Sequence, residues 1–115
     1  MAKTLGELEA LRWELRRDCV DIITAGGGGH IGGDMSVIDA LLVLYENYLR
    51  ISPKMTEDPN RDRFVLSKGH AMEAYYAVLC ARGFFSLDDV KKRFSRFGSP
   101  YIGHPNNNLP GIEMN

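Results

Sequence analysis

The stretch RFVLSKGHAMEAYYAVLCARG, Arg63 to Gly83, decides how the rest of the chain is read. Arg63-Phe64-Val65-Leu66 is short and apolar and follows a polar loop, which predicts a buried strand. Composition predicts a helix from about Ala71 to Arg82, with Gly83 at its C′ position. A lone strand leaves its backbone groups unpaired, so this one calls for neighbours. A strand–helix order with no later strand is the front of an α/β domain. The chain therefore reads as a fragment, or as a chain that needs a partner. His70 stands at the turn between strand and helix. There an imidazole either caps the helix or meets an anion at its N-terminus.

Upstream, Thr4-Leu5-Gly6-Glu7 has the form of a capping box. Leu8, Leu11, Leu15, Cys19, Ile22 and Ile23 then recur at helical spacing. This helix is expected to end near Ala25, because Gly26–Gly29 cannot hold one. Ser36 reads as the cap of a second helix, with Ile38, Leu41, Leu42, Tyr45 and Leu49 on its apolar face. That helix fades near Ile51, and Pro53–Arg61 is a polar loop. Downstream, Ser86 caps a fourth helix, and Asp88 and Asp89 suit its positive end. It ends by Gly98. Ser99–Asn115 holds three prolines and four asparagines and is expected to be irregular.

The 115 residues are enough for one small domain, and 44% hydrophobic with 25% charged content is ordinary for a globular protein. A formal charge of -1 gives no basic excess for nucleic acid. No apolar run approaches the length that spans a membrane, and the N-terminus carries no apolar signal core. Cys19 and Cys80 lack metal or disulfide spacing and read as buried thiols of a cytoplasmic protein.

Each of the three histidines follows a glycine: Gly29-His30, Gly69-His70 and Gly103-His104. Glycine lets backbone approach closely, and histidine donates or accepts a proton near neutral pH. Three such loops can converge on one small polar substrate. The wide spacing matches no local zinc pattern. The run Gly26–Gly33 lies between two helices and has no GK[ST], which argues against a dinucleotide or P-loop fingerprint. It reads either as a linker or as a loop whose backbone passes close to a ligand.

The segments GGGGHIGGDMSVIDALLVLY, RDRFVLSKGHAMEAYYAVLCARGFF and GHPNNNLPGIE, taken in this order, resemble transketolase. The likeness is greatest to the amino-terminal, thiamine-diphosphate-binding subunit of the split two-chain type, and it covers nearly the whole chain. It implies the front part of a three-layer α/β/α domain of the pyrophosphate-binding type. Residues 1–115 would form an incomplete domain, mostly helical with one or two strands. It also implies transfer of a two-carbon ketol unit between sugar phosphates, with thiamine diphosphate and Mg2+ or another divalent cation as cofactors. His30 and His104 would be the catalytic and substrate-binding residues, and His70 with Gly69 would meet the cofactor's diphosphate. A free helix start after His70 would suit that anion.

The resemblance has departures. Ile31 stands where many transketolases have proline. Asp34 stands where they have a small or neutral residue, and an acid there repels phosphate unless it points away. The family's Thr-Gly-x-Leu-Gly stretch, its metal-holding Gly-Asp-Gly segment and its activating glutamate are not in the sequence. The chain alone is therefore expected to be inactive and to work with the remaining domains or a carboxy-terminal subunit, in a homo- or hetero-oligomer. Competing readings are a non-catalytic association module, a related thiamine enzyme such as deoxyxylulose-phosphate synthase, and a four-helix binding module with loop histidines.

Overall fold

The computed structural model describes residues 2–114. Four α-helices carry the fold: α1 (Leu5–Gly26), α2 (Ile31–Val43), α3 (Met72–Ala81) and α4 (Leu87–Arg93). A π-helical turn, Leu44–Tyr48, extends α2, and a 3-10 turn spans Pro53–Met55. The capping box forms as expected. Thr4 Oγ1 accepts from the Glu7 N–H at 3.2 Å, and Glu7 Oε1 accepts from the Thr4 N–H at 2.9 Å. α1 ends one residue beyond Ala25. Gly27 takes φ 84°, and Gly28 closes the end by donating to the Ile23 carbonyl at 3.0 Å.

α3 is the centre of the molecule. Every residue from Met72 to Leu79 is buried, Glu73 included, with α1 and α2 packed against the helix. A helix apolar on all sides belongs in a core. Tyr75 and Tyr76 leave it in two directions. The Tyr75 hydroxyl pairs with that of Tyr45 at 2.6 Å, and the Tyr76 hydroxyl donates to the Ile102 carbonyl at 2.7 Å. The second bond holds the C-terminal loop, and Phe85, Phe94 and Tyr101 surround the Tyr76 ring edge-on. Cys19 is fully buried in the core and Cys80 is partly buried against it.

Two sequence expectations are corrected. The 63–66 segment is not a strand, and no strand occurs among the described residues. The segment keeps a strand's alternation: Leu66 is buried, Val65 is exposed, and Phe64 packs on Tyr45 and Tyr75. With no strand beside it among the described residues, it forms no ladder. Ser36 does not cap α2. The helix begins five residues earlier, at Ile31, and Ser36 Oγ instead bonds back to the Gly33 carbonyl at 3.0 Å. The glycines Gly32 and Gly33 are held helical from outside, because the Asp34 carboxyl beyond them is anchored on α3. The loop reading of 99–114 holds, and Asn115 lies outside the described residues.

Candidate functional site

Each histidine lies in a connection that the helices aim toward one place. His30 joins α1 to α2, His70 immediately precedes α3, and His104 lies in the loop after α4. All three are exposed. The rings of His30 and His70 meet edge to face, with centroids 5.4 Å apart. A Cβ added at Gly69 would lie 3.0 Å from His104 Nδ1 and 3.1 Å from Pro105 Cδ. A Cβ at Gly33 would lie 3.1 Å from His70 Nε2. The His104 ring therefore rests against the bare backbone of Gly69, and the His70 ring against that of Gly33. Glycine at both places leaves room for an imidazole.

The surroundings of this mouth were not all visible in the sequence. Lys68 brings a cation, and its Nζ donates to Ser36 Oγ at 2.9 Å. The first turn of α2 has no side-chain cap from its N-cap residue His30. His70 reaches this turn, not the start of its own helix. The start of α3 is already occupied, since Asp34 Oδ1 accepts from the Ala74 N–H at 3.0 Å. Asp34 is thus a cap supplied by one helix to another. It is buried, with its carboxyl held on the start of α3. Glu73 lies beside it, and Glu73 Oε1 accepts from the His30 N–H at 3.2 Å. A Cβ at Gly29 would overlap that same oxygen. The glycine run therefore passes its backbone close to a carboxyl of the protein itself.

Burial pushes the Asp34 carboxyl up to about 7. The neighbouring Glu73 adds to this, while the Ala74 N–H and Lys68 act against it. Burial also pushes the thiols of Cys19 and Cys80 up, which keeps both neutral. Among the described residues, no group of three or more His, Cys, Asp or Glu is arranged to hold a metal ion. Among the same residues, no helix is long and apolar enough to cross a membrane.

The arrangement fits a small anion with polar substituents. It offers an uncapped helix start, one lysine and three histidines on an open face. Residues 9–115 match the model of the transketolase thiamine diphosphate binding domain. The chain is 44% identical over 100 residues to one of the subunits of apulose-4-phosphate transketolase from Phocaeicola vulgatus, covering 87% of this chain and 35% of the relative. It is 40% identical over 101 residues to the transketolase of Kluyveromyces lactis, covering 87% of this chain and 15% of the relative. The fold superposes on transketolase from Leishmania mexicana with a TM-score of 0.85 and 30% identity, over 97% of this chain and 16% of that one. The helices described above are thus the mostly helical part of an α/β domain that binds a diphosphate cofactor. The chain belongs to the transketolase family, within its thiamine-diphosphate-binding domain. It spans about a third of the length of one relative and about a sixth of the others.

Proposed function

We propose that this chain supplies one wall of a thiamine-diphosphate-dependent ketol transferase acting on sugar phosphates. The observation that carries the reading is the meeting of His30, His70 and His104 around two glycines and an uncapped helix start. The named relatives favour a transketolase over a related thiamine enzyme. Thiamine diphosphate, when bound, supplies the carbon chemistry that breaks and remakes the ketol bond.

This chain's own residues bind, orient and handle protons. His70 and Lys68, with the N–H groups of α2's first turn, would hold the diphosphate, and Gly69 leaves room beside it. His30 and His104 would bind the sugar hydroxyls and move protons at the donor and acceptor oxygens. Ligands for Mg2+ or another divalent cation would come from other parts of the enzyme. The Phocaeicola vulgatus relative is named for one component of an enzyme built from more than one chain. By analogy, residues 1–115 act within one domain beside a carboxy-terminal subunit or further domains, in a cytoplasmic oligomer.

The test is ketol transfer by the assembled enzyme carrying His30→Ala, His70→Ala or His104→Ala. Losses on the order of 10²–10⁴-fold are expected for His30 and His104. His70→Ala should raise the thiamine diphosphate needed for half-maximal rate. Unchanged activity in all three would overturn the site.

A further inference from the structure

Asp34 and Glu73 are the two acids of the site's floor, one from the first turn of α2 and one from the first turn of α3. Their relative exposures are 0% and 1%. Each uses one oxygen on a backbone N–H. Asp34 Oδ1 takes that of Ala74, and Glu73 Oε1 takes that of His30. The remaining oxygens, Asp34 Oδ2 and Glu73 Oε2, are both buried and have no hydrogen-bond donor among the described residues. Asp34 holds the N–H of the residue that follows Glu73, so the two buried carboxyls lie side by side at the start of α3, and a hydrogen bond with Glu73 is among the causes that raise Asp34. Two carboxylates have four acceptor oxygens and no proton to join them, so that contact requires one acid to be protonated.

We propose that Asp34 and Glu73 hold a single proton between them and act as a clamp that fixes the His30 backbone at the mouth of the site. The proton turns two repelling acids into a donor and an acceptor. Both N–H bonds then survive, and the α1–α2 loop is tied to the start of α3. Glu73 is a positioning residue for His30. The groups facing the pair are consistent with it. Cys19 packs from α1 as a neutral thiol, and the Tyr76 hydroxyl of α3 is neutral as well. Lys68 is the cation acting on Asp34 from the 67–70 turn, and the backbone N–H of His30 is the donor on Glu73. The clamp does not depend on the catalytic reading, because the proton is held with neither substrate nor cofactor.

The direct test is a carbon-13 titration of the Asp34 and Glu73 carboxyls in the protein free of cofactor. The pair should retain one proton well above pH 5, with both carbons responding to its loss. Two ordinary carboxyl titrations near pH 4, independent of each other, would overturn the proposal. Asp34→Asn and Glu73→Gln each replace the shared proton by an amide donor. Either variant should abolish the upper step, keep the His30 amide protected from hydrogen exchange and raise the melting temperature relative to wild type more at pH 8 than at pH 5. The double variant sets two amide donors against each other and should melt below both single variants at every pH. A double variant as stable as the singles, or an upper step that persists in them, would contradict the shared proton. Loss of His30 amide protection in Glu73→Gln would contradict the clamp. Ketol transfer is read separately, so its absence would count against the catalytic reading and leave the titration standing.

Discussion

Gly69 gives a close clearance in the site that a single methyl can test. Gly69→Ala places a Cβ 3.0 Å from His104 Nδ1 and 3.1 Å from Pro105 Cδ. The loop after α4 must yield, at a cost of roughly 1–3 kcal/mol. We expect a folded protein, by circular dichroism, with His104 displaced and ketol transfer reduced. Tyr76 acts on the same loop from the core. Tyr76→Phe removes the 2.7 Å bond to the Ile102 carbonyl and leaves that acceptor without its phenol. A loss of about 1–3 kcal/mol in chemical denaturation is expected, with the aromatic cluster intact. Asp34 gives a pH dependence. Its folded-state pKa is raised, so its stabilising contribution is complete below about pH 4, the unfolded value. That contribution is lost as pH rises toward about 7. The stability difference between wild type and Asp34→Asn should move in favour of the variant across that window. A difference independent of pH would rule out the assigned shift.

At the level of the elements, α1 rests on its capping box, and Thr4→Ala should cost about 1 kcal/mol by thermal melting. That helix was legible because its apolar period, its cap and its glycine stop all agree. The start of α4 was legible from its cap and its first-turn acids, with Ser86 accepting from the Asp89 N–H. The start of α2 was not. Gly32 and Gly33 are poor helix formers, and Ser36 imitates a cap. The deciding force is tertiary, since Asp34 reaches a backbone N–H forty residues away. The 63–66 segment was misread for a related reason. Its residue types and alternation suit a strand, but a strand also requires a neighbour, and none lies beside it among the described residues. The three Gly-His pairs were legible as motifs. Lys68 and Glu73 were not, because each becomes part of the site through partners in a distant loop or helix.

Across the whole molecule, α3 serves as the axle: its sides form the core and its N-terminus meets the floor of the site. This explains how a chain with few elements holds three exposed histidines close together. The same chain spans about a third or less of its relatives' lengths, and the account gives it one wall of a cofactor site. Binding and turnover should therefore depend on the remaining parts of the enzyme. The most direct measurement follows ketol transfer from a ketose phosphate to an aldose phosphate with thiamine diphosphate and Mg2+ present. It compares this chain alone, the assembled enzyme, and the assembled enzyme with His30 and His104 both replaced by alanine. The account predicts transfer only in the intact assembly. Transfer by the chain alone, or undiminished transfer without the two histidines, would contradict it.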